Sequence, residues 1–207
     1  MVTNGFATYK YDYGTRLLCE YYFGADGAAA HYTGWKYLKG QWYYFDATYQ
    51  ICLDQLLRDG SGYYFAYWDD EDGYTMLKNT GRVMNNQLYI FDRNGLAKGV
   101  TTANGWHQAG GQWYYIENGT PAKGYRVIGG VGYYFSYDGS MLVSDYAYAN
   151  GQNYFFGSNG AKVTTQGWYQ TFYGEWVYVG ANGAIYENGI YFIGGVQYTF
   201  RYGIWVS

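Results

Sequence analysis

The amino-acid sequence predicts an all-β fold, a solenoid of stacked β-hairpins with a repeat of about 21 residues. Three observations carry that prediction. Short aromatic blocks recur along the chain, glycine-containing turn dipeptides separate them, and no window shows the i, i+3, i+4 apolar period of a helix. The blocks are Tyr21-Tyr22-Phe23, Tyr43-Tyr44-Phe45, Tyr63-Tyr64-Phe65, Tyr89-Ile90-Phe91, Tyr114-Tyr115-Ile116, Tyr133-Tyr134-Phe135, Tyr154-Phe155-Phe156, Val177-Tyr178-Val179 and Tyr198-Thr199-Phe200. Their last residues are separated by 22, 20, 26, 25, 19, 21, 23 and 21 positions.

Turns punctuate the blocks on both sides. Asp26-Gly27, Asp72-Gly73, Asn94-Gly95, Asn118-Gly119, Asp138-Gly139, Asn159-Gly160 and Asn182-Gly183 follow them. Such pairs supply the positive φ angles of tight hairpin turns. Gly40, Asp59-Gly60, Gly110-Gly111, Gly129-Gly130, Asn150-Gly151 and Gly194-Gly195 precede them. One unit therefore reads strand, tight turn, aromatic strand, turn. A lone hairpin is marginal in water, whereas hairpins in series bury one another's faces. ICLDQLLR, from Ile51 to Arg58, is the one stretch that tempts toward a helix, and it is short.

Alternation along each aromatic strand assigns faces. The column holding Tyr43 and Phe45 is apolar or aromatic in all nine units and is expected to form the core. The column holding Trp42 and Tyr44 varies, with Gly62, Leu88, Gly132, Asn153 and Gln197 at the Trp42 position, and is expected to face outward. The acidic run Asp69 to Asp72 lengthens the third unit and is expected to form a surface loop. The stretch Tyr9 to Gly14 reads as a degenerate first unit, so that 1–20 is a cap or incomplete repeat within one repeat domain, 1–207.

Composition narrows the function classes. Aromatic content is 24%, charged content 14% and net charge -3, with no run of Lys or Arg. Nucleic acid and anionic membrane surfaces both call for a basic stripe. No apolar stretch approaches the roughly 20 residues of a membrane-spanning helix. The N-terminus has no signal-peptide pattern, and the chain begins and ends inside repeat material. It therefore reads as a fragment of a larger surface or secreted protein. Cys19 and Cys52 are read as two semi-buried thiols, with a single bridge left open.

Catalytic signatures are missing from the sequence: there is no G-x-S-x-G, H-E-x-x-H, P-loop or dinucleotide fingerprint. His31 and His107 stand singly and are read as surface residues. An EF-type loop on the acidic run fails, because its first ligand position falls on Trp68 and its twelfth on Asn79. The chain is read as a non-enzyme with no cofactor and no metal.

Three units carry more than a core requires: GWKYLKGQWYYF (Gly34 to Phe45), GWHQAGGQWYYI (Gly105 to Ile116) and GWYQTFYGEWVYV (Gly167 to Val179). A hairpin turn brings Trp35 toward Trp42, Trp106 toward Trp113, and Trp168 toward Trp176. Tyr64 is expected to add a wall to the first slot and Tyr134 to the second. At the third the equivalent position is Thr199, so that slot is expected to be incomplete. Trp68 and Trp205 are read as packing or loop-edge residues.

Gly-Trp, a short gap, a glycine, Trp-Tyr-Tyr-Phe and then a (D/N)-G turn resembles the cell-wall-binding repeats of Gram-positive surface proteins. That superfamily includes choline-binding modules, glucan-binding repeats of glucosyltransferases and the C-terminal repeats of large clostridial toxins. The resemblance spans about Tyr21 to Ser207. It implies a secreted or cell-surface module, bound to the bacterial cell wall, that holds a glucan, another wall polysaccharide or choline. In the choline-binding pattern a methionine stands shortly before Gly-Trp. Here Met76 and Met141 precede units without Gly-Trp, which favours the glucan-binding or toxin branch. Host-glycan recognition and a ligand-free spacer are the alternative readings, and an end-to-end dimer is a further expectation, since solenoid ends expose edges.

Overall fold

The computed structural model describes residues 2–10, 18–52, 55–69 and 73–207. The expectations for the cap stretch 11–14 and the acidic run 70–72 fall outside the described residues, as do the side chains of Cys19 and Trp68. Among the described residues every element is a strand, and 22 strands form nine sheets of two or three strands each. The all-β prediction holds. Each of the nine aromatic blocks lies on the second strand of its sheet. Gln55–Asp59, within the helix-tempting stretch, is also a strand. Cys52 carries a free, buried thiol.

The two kinds of turn do different work. Gly110 and Gly111, at φ 57° and 79°, join Ala109 to Gln112 as a two-residue hairpin turn. Both angles are positive, a region that residues with a Cβ avoid. Among the described turns after the blocks, Asn118-Gly119, linking Glu117 to Thr120, and Tyr202-Gly203, linking Arg201 to Ile204, have this form. At Asp26, Asp138, Asn159 and Asn182 the side-chain Oδ1 accepts a hydrogen bond from the backbone N–H two residues on, at 3.0–3.1 Å. The preference for Asp or Asn there comes from this acceptor and not from the residue's own φ.

The chain forms two compact units, Met1–Thr80 with Ile90–Gly99, and Gly81–Tyr89 with Val100–Ser207. In the second unit the hairpins stack through a regular backbone ladder. The N–H groups of Met141, Lys162 and Ile185 donate to the carbonyls of Trp113, Gly132 and Asn153 at 2.7, 2.7 and 2.9 Å. Each donor lies six residues after the end of its own block, on a short third arm that also bridges that end (Phe135 to Met141, Phe156 to Lys162, Val179 to Ile185). Each acceptor immediately precedes the block of the hairpin before. In the first unit the strand Gly62–Asp69 is longer, and its third arm pairs Met76 with Ala66, one residue past the block.

The core follows the predicted column. Phe45, Phe65, Phe91, Ile116, Phe135, Phe156, Val179 and Phe200 are at most 4% exposed. Burying each such side chain contributes roughly 2–3 kcal/mol. The first block is an exception: Tyr22 is buried and Phe23 only half-buried. The outward column is also not uniformly open. Leu88 is fully buried, on the strand that pairs on one side with Val100–Thr101. Phe155 is covered by the ring of Tyr169, stacked at 5.3 Å. Alternation sorts the faces of one strand, and a neighbouring element then decides which face stays wet.

Candidate ligand-binding slots

The three Gly-Trp hairpins share one construction. In the first, strands Gly34–Leu38 and Gln41–Phe45 pair Trp35 with Tyr44 and Tyr37 with Trp42. Directly opposed residues point to the same side of a sheet, so these four aromatics share one face. Trp35 packs on Tyr44 at 5.2 Å, Tyr37 on Trp42 at 5.4 Å, and Tyr64 of the following hairpin meets Trp35 at 5.5 Å. The rings open onto a cavity of about 500 Å³, whose rim is completed by Met76, Lys78, Arg93 and Asn94.

In the second slot Trp106 pairs across the strand with Tyr115, and Gln108 with Trp113. The two indoles stand 6.2 Å apart and nearly perpendicular, at 88°. The added wall is Tyr133, 5.0 Å from Trp106. Tyr134, which sequence spacing assigned to this wall, packs instead on Phe156 at 5.9 Å beside a buried cluster. The reason is register. Where the third arm bridges the last residue of the block, Tyr133 shares its parity. On the strand Gly62–Asp69 the third arm pairs one residue later, with Met76 opposite Ala66, and there Tyr64 takes the facing position. The cavity is about 560 Å³ and is also lined by Gln112, Met141, Val143, Ser158 and Asn159.

The third slot has its additional walls and is not incomplete. Tyr198 lies 5.0 Å from Trp168, and Trp205 lies 6.0 Å from it, on a short strand where Trp205 pairs with Phe200. Thr199 points to the other side. Together with Trp176 these rings line a cavity of about 310 Å³ made of four aromatic side chains. Trp205 is therefore a wall residue as well as a loop-edge one. The Gly203-Ile204-Trp205 coda just beyond the strand Val196–Arg201 was its sequence trace.

One pattern recurs in depth. Trp106 lies against the core residue Phe135 at 5.9 Å, and Trp168 stacks on Phe200 at 5.7 Å and 19°. In these two slots the first-strand indole is seated on the core. By exposure the second-strand indole is the freer one in the first and third slots, while Trp106 and Trp113 are about equally exposed. Trp42, Trp113 and Trp176, like Trp106 and Trp205, are 37–40% exposed. Flat apolar faces held rigidly at a wet surface suit stacking against sugar C–H faces or methylated ammonium groups.

The methionines also differ from the sequence expectation. Met141 precedes a unit without Gly-Trp, yet the ladder bond to the Trp113 carbonyl returns it to the slot of the hairpin before. Met76 likewise lines the first slot. The six-residue offset from block to third arm was the available signal for Met141. His107 Nε2 donates to the Ala103 carbonyl at 2.6 Å, and His31 stacks on Tyr49 at 4.6 Å; neither lines a slot. Among the described residues no group of three metal-ligating side chains converges.

Residues 33–48 and 104–119 match the family model of the cell wall binding repeat. These two segments are similar to that repeat. They hold the indole pairs of the first two slots, Trp35 with Trp42 and Trp106 with Trp113. The chain is also 25% identical to glucosyltransferase-I of Streptococcus downei, over 77% of its own length and 14% of the relative's. It thus spans about a seventh of that enzyme. Among solved structures it is similar to CbpJ of Streptococcus pneumoniae TIGR4, with 26% identity, 98% of this chain and 70% of that one covered, and a TM-score of 0.38. It is similar as well to choline binding protein F of Streptococcus pneumoniae, solved in the presence of a peptidoglycan analogue. There the identity is 24%, coverage 92% and 70%, and the TM-score 0.38.

Proposed function

We propose that this chain is a non-catalytic module that attaches its parent protein to a cell-wall or extracellular polysaccharide. The carrying observation is the set of three open cavities, each walled by paired indoles and a tyrosine, two of them on segments similar to the cell wall binding repeat. None of the three lining sets includes a carboxylate, whereas glycoside hydrolysis uses two set across a cleft. The relative's name, a glucosyltransferase, supports a glucan as the polymer. A site with two or three stacking faces binds at about millimolar to micromolar strength, roughly 4–8 kcal/mol. Weak sites in series gain by multivalency on a polymer whose own units repeat. Such a role belongs outside the cell, on a secreted or surface-bound protein.

A second reading rests on the second and third slots. Perpendicular indoles with Met141, or four aromatic walls without charge, enclose a compact group from several sides, which suits the quaternary ammonium of choline. Retention of the protein on insoluble α-glucan and on purified Gram-positive cell walls, with and without free choline, separates the two. Glucan retention indifferent to choline supports the polysaccharide, and wall retention released by choline supports the second reading. Trp113→Ala and Trp176→Ala, which remove second-strand indoles, are expected to weaken retention about tenfold each while leaving thermal stability within a few degrees. If both variants bind like the parent, the aromatic slots do not carry the binding, and if the parent is retained by neither polymer, the module is a spacer.

A further inference from the structure

The three cavities are not electrostatically equivalent. The first is lined by the cations Lys78 and Arg93 and by the amide of Asn94, in addition to Trp35, Trp42 and Tyr64. The second and third have no charged side chain in their linings. The charge of Arg93 acts through space on the neighbouring Asp92 carboxylate, which lies outside the lining. That carboxylate is turned into its own loop. There Oδ1 accepts the backbone N–H groups of Asn94 at 2.7 Å and Leu96 at 3.0 Å. Two cations thus border an aromatic floor with no carboxylate in the lining to answer them.

The geometry points to the first slot as a site for an anionic saccharide unit, one bearing a phosphate or a carboxylate. The sugar's C–H face stacks on the indoles, and Lys78 and Arg93 meet its negative group. Arg offers a planar fork that matches either oxyanion, and Lys adds a point charge on a flexible stem. The same two cations repel a quaternary ammonium, so this slot discriminates against choline where the uncharged second and third slots do not. The inference rests on the polysaccharide-binding reading and gives the class of unit taken by one of its sites.

The test is a titration of the whole chain with glucose 6-phosphate, glucuronate, methyl α-glucoside and choline, followed by indole N–H resonances. Shifts of Trp35 and Trp42 are expected with glucose 6-phosphate or glucuronate at concentrations about tenfold below those needed for methyl α-glucoside. Which of the two acids binds more tightly distinguishes phosphate from carboxylate. Replacing both cations, Lys78→Gln with Arg93→Gln, is expected to remove that tenfold preference, so that the acids shift Trp35 and Trp42 only at the concentrations at which methyl α-glucoside shifts them in the same variant. Raising salt from 50 to 500 mM should erode the preference in the same direction. Equal response to charged and neutral sugars overturns the anionic assignment but leaves polysaccharide binding standing. So does choline shifting Trp35 and Trp42 as readily as the acids. A chain retained on polymer with no acid-induced shift at Trp35 or Trp42 also overturns it. Failure of all four probes together with failure of polymer retention removes the underlying reading as well.

Discussion

Tyr49 shows how a single residue departs from its repeat. It stands at φ 67° in the turn from Asp46 to Gln50, where the turn from Asp92 to Leu96 has Gly95 at φ 82°. A side chain in this left-handed region costs about 1–2 kcal/mol. The Tyr49 ring stacks on His31 at 4.6 Å and 16°, which offsets part of that cost. Replacing the ring separates the two effects. Tyr49→Ala keeps the strain and loses the stack, whereas Tyr49→Gly loses both. The glycine variant is expected to be more stable than the alanine variant by about 1 kcal/mol in thermal denaturation. Equal stabilities would mean that the turn carries no strain.

The acids of the same two turns set a pH dependence. Burial raises the Asp46 carboxyl, but the Thr48 hydroxyl and the N–H groups of Gln50 and Thr48 outweigh it and hold it below its ordinary value of 3.8. The Asp92 carboxyl is held low by the N–H groups of Leu96 and Asn94. Both bind protons more weakly folded than unfolded. Their stabilisation is therefore present above about pH 4 and lost as pH falls through the lowered values. Asp46→Asn with Asp92→Asn is expected to flatten the decline of melting temperature between pH 5 and pH 2. An unchanged decline would place the acid sensitivity elsewhere.

At the scale of elements, the turn glycine at Gly139 shows why glycine is spread through the chain and not gathered in linkers. Its φ is 85°, and a methyl group there would run into the side chain of Val83, which is buried. Val83 is β-branched and held by its N–H, which donates to the Asp138 carbonyl at 2.9 Å, so it has little freedom to turn aside. Gly139→Ala is expected to cost about 1–3 kcal/mol, read as a lower denaturation midpoint with an unchanged slope. A neutral effect would show that the turn can retreat from its neighbour. Hairpins, their turns and the inner column were legible because each follows from local rules: turn dipeptides, two-residue alternation and a recurring block. The walls contributed by a following hairpin were less so. Tyr133 in place of Tyr134, Met141 and Trp205 depend on how the third arm registers against the block. On the strand Gly62–Asp69 that arm pairs one residue past the block, and alternation within a strand does not contain such a shift.

At the scale of the whole molecule, the aromatic composition answers two needs at once. Phe, Ile and Val at the block ends fill a core, while Trp and Tyr rooted on that core keep one face toward solvent. Six of the indoles were expected at the slots, and Trp205 makes a seventh, which alternation could not reach because it lies on an added strand. The recurrence of weak sites, two of them in the second unit, suits a repetitive ligand better than a small soluble one. The direct test follows the indole N–H resonances while solubilised cell-wall polysaccharide or α-glucan is added. The signals of Trp106, Trp113, Trp168 and Trp176 should shift together and saturate, with Trp113→Ala abolishing the response at Trp106. Retention of polymer with those four signals unmoved would mean that the chain grips its ligand somewhere other than these aromatic slots.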